Sequence, residues 1–240
     1  MPRTFRRLVV PLAVAALGTV TLTAAPAGAA SSAAQVAQAG TIVASDLGAG
    51  WTAGPSDSSG DKVIKKLAAK TKGCEDYAAV RASLDTATDA ASPEFETAVQ
   101  QISNHSYVYK TEAAAAKALK RASAGTVADC FTDLFTKVFA QQINANPATA
   151  KQVKNYRVKI AEVPDLTDAL GDQSVGYAGG AEINGTDGTT TRLILSTLVV
   201  RVGPAVITYS YSFDADKSQP SSAFDAAVAN TIARTEIALA

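Results

Sequence analysis

The chain reads as an α+β protein, with an antiparallel sheet of about five strands, helices packed against it and one disulfide. Three observations predict this. Four β-rich runs divided by turn signals fill the C-terminal third, amphipathic helical patterns precede and follow them, and Cys74 and Cys130 are the only cysteines. Strands in direct succession pair most simply as an antiparallel meander, and helices placed on either side in sequence are available to cover it.

The N-terminus sets the compartment. Arg3, Arg6 and Arg7 precede fifteen uncharged apolar residues, Leu8 to Leu22, and small residues follow at Ala27-Gly28-Ala29. That is the charge, length and cleavage pattern of a secretory signal peptide over residues 1–30. Fifteen residues fall short of the roughly 20 that a membrane-spanning helix needs. Without a cysteine near the cleavage region, the lipoprotein route is closed, and the expected location is extracytoplasmic: the cell envelope or the medium. Residues 31–40, rich in Ala, Gln and Ser without an apolar stripe, read as a flexible arm. Residues 41–240 read as a single domain, with no transmembrane segment.

Turn-rich Asp57-Ser58-Ser59-Gly60 precedes Lys62, Lys65, Lys66, Lys70 and Lys72, which are interleaved with Val63, Ile64 and Leu67. The interleaving marks the solvated side of a short helix and not a nucleic-acid footprint. Loss of the leader arginines leaves 19 basic against 22 acidic side chains, so no nucleic-acid partner is expected. Cys74 then opens a helix through Tyr77, Val80, Arg81 and Leu84, ended by the Thr, Asp and Ser cluster before Pro93.

A strand is expected from Thr97 to Lys110, where β-branched and aromatic residues concentrate. Thr111 is suited to cap the next helix, since its hydroxyl accepts an orphan amide ahead of Ala113 to Ala116. After Gly125, the steps Val127, Cys130, Phe131, Leu134, Phe135 and Val138 make a second helix with Cys130 on its buried face. The strands Tyr156–Val163, Ser174–Ile183, Thr190–Val202 and Ala205–Phe213 follow. In the last of these, Ala205, Ile207, Tyr209, Tyr211 and Phe213 alternate with Val206, Thr208, Ser210 and Ser212. One face is therefore aromatic and the other small and hydroxylated. A terminal helix starts with a Ser222/Asp225 capping pattern and lines Phe224, Val228, Ile232, Thr235 and Leu239 on one side.

In an oxidising compartment an isolated cysteine pair is most simply a disulfide, here Cys74 to Cys130. His105 is the only histidine, so a zinc site lacks ligands, and neither metal nor other cofactor is expected. The sequence contains no Gly-x-Ser-x-Gly elbow and no His-Glu-x-x-His, and no catalytic residue is assigned. Glu94 with Glu96, and Asp165 with Asp168 and Asp172, are the carboxylate groupings that a hydrolase would use; strand and turn roles account for them. Trp51, Tyr177, Tyr209 and Tyr211 are the candidate ligand-binding residues, as the rim and floor of a cleft on the sheet.

Three segments carry a resemblance: Asp46-Leu47-Gly48-Ala49-Gly50-Trp51, Gly171-Asp172-Gln173-Ser174-Val175, and the hairpin from Val199 to Ile207 before a terminal helix. With them the chain resembles actinobacterial extracytoplasmic sensor-like domains, the kind that forms the outer part of some mycobacterial serine/threonine receptor kinases. The resemblance implies an antiparallel sheet with helices packed on it and a cleft for an envelope ligand. It carries over no catalytic residues. The chain departs from the kinase-attached members in lacking a kinase segment and in having one cysteine pair where those domains carry two disulfides. The function expected is an exported, non-enzymatic binding or sensor-like domain for a small molecule, glycan, lipid or envelope protein. The alternatives are a secreted hydrolase with a carboxylate site and an adhesion or structural envelope protein.

Overall fold

The structure, a computed structural model, describes residues 31–54, 59–163 and 170–240. The leader at 1–30, and Asp165 and Asp168 of the acidic turn, lie outside the described residues. Helix α1 (Ala33–Ala39) and the single turn α2 (Ala44–Leu47) lead into strand β1 (Thr52–Gly54), and helices α3 (Ser59–Ala68) and α4 (Glu75–Leu84) follow. Strands β2 (Thr88–Ala91), β3 (Glu94–Glu96) and β4 (Gln100–Val108) precede helices α5 (Glu112–Ala122), α6 (Val127–Ala145) and α7 (Pro147–Gln152). The C-terminal part is β5 (Val153–Val163), β6 (Gln173–Gly185), β7 (Thr190–Val202), β8 (Ala205–Asp214) and α8 (Ser222–Leu239).

The α+β class and the meander from β5 to β8 are as expected, but the sheet has eight strands, in the order β1-β3-β4-β8-β7-β6-β5 with β2 also paired to β4. The expected sheet of about five strands was too small because β1, β2 and β3 span only three or four residues each. Such runs are too short to show a period of two, and β2 falls in the Thr- and Asp-containing stretch that reads as a helix stop. It is β4 that makes them strands. Its outer edge offers unpaired backbone groups, which β2 takes from Tyr107 and Val108 back to His105 and β3 takes at Gln101 and Ile102. Pro93 separates the two, as a residue without an N–H must interrupt a ladder.

Alternation along β8 sets the layers. Ile207, Tyr209, Tyr211 and Phe213 face one way and bury with Ala227, Val228 and Ile232 of α8 and with Ile42 and Leu47. Val206 faces the other way, into a core with Phe131, Leu134, Phe135 and Val138 of α6 and Ala118 and Leu119 of α5. The sheet is therefore sandwiched between helices. Among the described residues, no helix is long and apolar enough to cross a membrane.

Residues 31–40 are not a loose arm. Ser32 and Gln35 form a reciprocal capping box, and α1 buries Val36 and Ala37 against Val108 and Ala205. Seven residues with two buried positions leave no stripe to read, so the partner sheet decides this helix. The segment after it is fixed by side chains from distant parts of the chain. Asn104 of β4 donates to the Gly40 carbonyl (2.6 Å) and accepts from Ile42 N–H (2.8 Å). Arg234 of α8 forks onto both oxygens of Asp46 (2.7 and 2.9 Å) and donates to the carbonyls of Ala39 and Thr41 (3.2 and 2.8 Å). At Gly40 the chain passes so close to β4 that a Cβ would lie 2.4 Å from Ser106 Oγ. Burial alone would push the Asp46 carboxyl up; the hydrogen bonds from Arg234 and Val43 N–H, the Arg234 charge and Asn230 outweigh it and hold the group below its ordinary value.

The cap of α8 is Ser221, whose hydroxyl accepts from Ala223 N–H, one residue before the expected Ser222. Thr111 caps α5 as expected, accepting from Ala114 N–H. Cys74, at the N-cap of α4, is bonded to Cys130 of α6, 56 residues on, and both are buried.

Replacing both cysteines by alanine is expected to cost about 4 kcal/mol, the loop-closure entropy regained by the unfolded chain, measured as a lowered urea midpoint. Asp46→Asn is expected to cost about 2 kcal/mol at pH 7. Because the folded carboxyl titrates below its unfolded value of about 3.9, its contribution is complete above that pH and is lost as pH falls through the folded value. The gap between wild type and variant should therefore close below about pH 4 in parallel denaturant titrations; a gap that persists in acid would show that Asp46 acts through packing alone.

Candidate functional site

The face of the sheet opposite α8 is built in rows. Ser103, Ser210, Thr197 and Tyr177 stand side by side across β4, β8, β7 and β6, and His105, Thr208, Val199 and Val175 form the next row. The centre of this floor is short: three hydroxyl side chains lie where a close-packed core would place branched or aromatic ones. The helices above cannot descend to fill the space, because α6 rests on larger residues at the sides, Val158 and Ile160 among them. A cavity of about 90 Å³ results, between the floor and a roof of Tyr77, Val80 and Leu84 from α4 and Phe131, Leu134 and Phe135 from α6. A smaller pocket of about 30 Å³ shares Ser103, Phe135, Thr197 and Ser210 with it and extends toward Glu94 and Gln101.

The aromatic wall is ordered by edge contacts. Phe131 meets Tyr77 at 4.9 Å and 79°, and Tyr177 at 5.1 Å and 85°. This is the T-shaped geometry that the ring quadrupoles favour. Tyr177 donates its hydroxyl to the Ala122 carbonyl at the end of α5. Burial, with the Glu162 carboxylate adding to it, pushes this phenol far up, so it remains a neutral donor.

The polar end of the cavity lies at β4. His105 is buried, stacks on Tyr107 at 4.1 Å and 13°, and has Nε2 2.8 Å from Asp89 Oδ2 of β2. As an ionised carboxylate only accepts, Asp89 orients the ring with an Nε2–H. Arg81 of α4 lines the same cavity. Thr208, the register partner of His105, donates its hydroxyl to the His105 carbonyl (3.3 Å). Among the described residues no three His, Cys, Asp or Glu side chains gather as a metal site.

The four aromatic candidates do not share one cleft. Tyr177 lines the cavity. Tyr209 and Tyr211 belong to the opposite face, where Tyr209 bonds Thr231 and the Tyr211 ring stacks on Phe224 at 5.0 Å; Tyr211 touches only the smaller pocket. Trp51 is half-buried and packs on that same α8 side. The reason is register: Tyr177 pairs through Thr197 to Ser210, so the β8 tyrosines on either side of Ser210 must point away from it. Of the carboxylates, Glu94 and Glu96 flank buried Phe95 on the short strand β3, between β1 and β4, and Glu94 accepts from Gln101 (3.0 Å). Asp172 accepts from Gly203 N–H (2.7 Å) and pairs with Arg201 (3.0 Å), a turn role. The sequence reading missed the roof residues Tyr77, Phe131 and Phe135 and the floor residues Ser103 and Thr197. Its one pointer to them was the hydroxylated face of β8.

No family model matches the chain, and no curated protein matches it. Among solved structures it is similar to the Ran-binding protein Mog1p of Saccharomyces cerevisiae, with 8% identity and a TM-score of 0.18. That match covers 57% of this chain and 62% of that one. A likeness at this level carries no argument about fold or function.

Proposed function

We propose that the chain is an exported, non-enzymatic binding module that holds part of a small molecule in the cavity between the sheet and the α4/α6 layer. The observation that carries this reading is the floor of Ser103, Thr197 and Ser210 beneath an aromatic roof. A site that is mainly apolar, concave and provided with a few placed polar groups is the usual form of a small-molecule pocket. Export rests on the leader pattern of residues 1–30 and accords with the buried Cys74–Cys130 bond. The non-enzymatic reading draws support from Thr208, whose hydroxyl is engaged by backbone. The sensor-like resemblance fits the same reading, with the bound molecule as the signal.

The volume of about 90 Å³ is smaller than the roughly 150 Å³ apolar cavity that takes a benzene ring. It therefore suits a short branched group, with any remainder of the ligand outside. Ser210→Val would supply the missing apolar volume from the centre of the floor. Thermal unfolding with and without short branched alcohols and acids tests the reading. The wild type should gain stability with ligand by mass action, whereas Ser210→Val should melt higher unliganded and gain nothing further. A wild type that responds to none of them, or a variant that responds equally, would overturn it.

A further inference from the structure

The smaller pocket bears on what the ligand carries beyond its apolar end. Next to the row of Ser103, Ser210 and Thr197 comes a row of Gln101, Ser212 and Leu195. Two residues of strand separate successive rows, a step of about 7 Å. The larger cavity stands over the first of these rows, and the smaller pocket reaches across both, with Phe135 at the junction. On β4, exposure rises in the same direction, from buried Ser103 to half-buried Gln101. Among the described residues, the hydroxyls of Ser103, Thr197, Ser210 and Ser212 have no hydrogen-bond partner within the chain, whereas Thr208, one row back, gives its proton to a strand carbonyl. Ser103 is only 8% exposed and lines both pockets. A hydroxyl so far from water is costly until something bonds it, and a purely apolar guest would leave it unbonded. Gln101 gives one N–H to Glu94 (3.0 Å), which fixes the amide, and the amide has a carbonyl oxygen and a second N–H besides. A water-sized group needs about 10–15 Å³, so the smaller pocket, at about 30 Å³, has room for two.

We propose that the ligand is a short branched alkyl ether of a polyol, with its alkyl end in the larger cavity under Phe131 and Leu134 and a vicinal diol in the smaller pocket, bonded to Ser103, Gln101 and Ser212. This inference rests on the binding reading above and adds the head group to it. The lining both donates and accepts, and a ligand hydroxyl does the same, so each hydroxyl of the diol closes two bonds. The step between rows sets the spacing, with the diol about 7 Å beyond the branched end. Glycerol and sugar head groups share this chemistry.

Isothermal titration of the full chain, disulfide intact, compares 3-methylbutan-1-ol with two diols, 3-(3-methylbutoxy)propane-1,2-diol and 3-methylbutyl β-D-glucopyranoside. At least one diol should bind about tenfold more tightly than the alcohol. A preference for the glyceryl ether marks a lipid-like head group, and a preference for the glucoside a glycan-like one. Gln101 and Ser212 line the smaller pocket and not the larger, so Gln101→Met and Ser212→Ala should each bring diol and alcohol closer to equal affinity. Thermal melting checks that both variants fold, and Ser212→Ala, which removes no hydrogen bond of the native chain, carries the test should Gln101→Met fail to. Diols that bind no better than the alcohol, or an advantage that survives both substitutions, would overturn the head-group proposal and leave the binding reading standing. Binding of none of the three probes, together with an unresponsive Ser210→Val, would overturn the binding reading itself.

Discussion

The opposite characters of the two faces of β8 constrain everything else in the molecule. One face presents Tyr209, Tyr211 and Phe213, which α8 covers with a close apolar layer closed by the Tyr209–Thr231 and Tyr211–Ser221 hydrogen bonds. The other presents Thr208 and Ser210 beside Ser103 and Thr197, in a sheet whose strands β6 and β5 carry larger residues, Tyr177, Val158 and Ile160. A helical layer spanning that face rests on the large residues and bridges the small ones. The cavity follows from this mismatch of heights and needs no special loop to make it.

The tethers of the fold act at the two sides of this sheet. On the cavity side, the Cys74–Cys130 bond joins the start of α4 to the first turn of α6, the two helices that supply the roof. It limits how far the roof can part from itself while leaving its distance from the floor to packing. On the other side, Arg234 collects the chain from Ala39 to Asp46 onto α8 with four hydrogen bonds, and Asn104 fastens the same segment to β4. A segment that buries Ile42 in the core is thus also held by charge-assisted bonds from a residue far along the chain. His105 and Asn104 are neighbours that serve opposite faces: one closes the polar end of the cavity, the other anchors the N-terminal segment.

Elements with a long period were legible in the sequence. The steps of α6, the alternation of β8 and the turn signals between β5 and β8 each extend over enough residues to identify helix, strand and connection. The same alternation showed that Thr208 and Ser210 share a face, which is the trace of the cavity floor in the sequence. The short strands β1 to β3 and helix α1 were not legible, because each buries at most two side chains and takes its shape from the backbone edge or surface beside it. Grouping Tyr177 with Tyr209 and Tyr211 failed for a related reason: side-chain direction within one strand follows from its own sequence, but direction relative to another strand depends on register.

By itself, the sequence determined the α+β class, the antiparallel meander, the buried position of Cys130 and the two characters of β8, since local periodicity and turn chemistry suffice for each. Only the tertiary structure decided that Ser103, Thr197, Ser210 and Tyr177 form one row, and that Arg81 and His105 reach the same cavity. These residues come from separate elements, and their meeting is fixed by strand register and by the height at which helices rest on a sheet. Both are properties of the packed whole, and no window of neighbouring residues contains them.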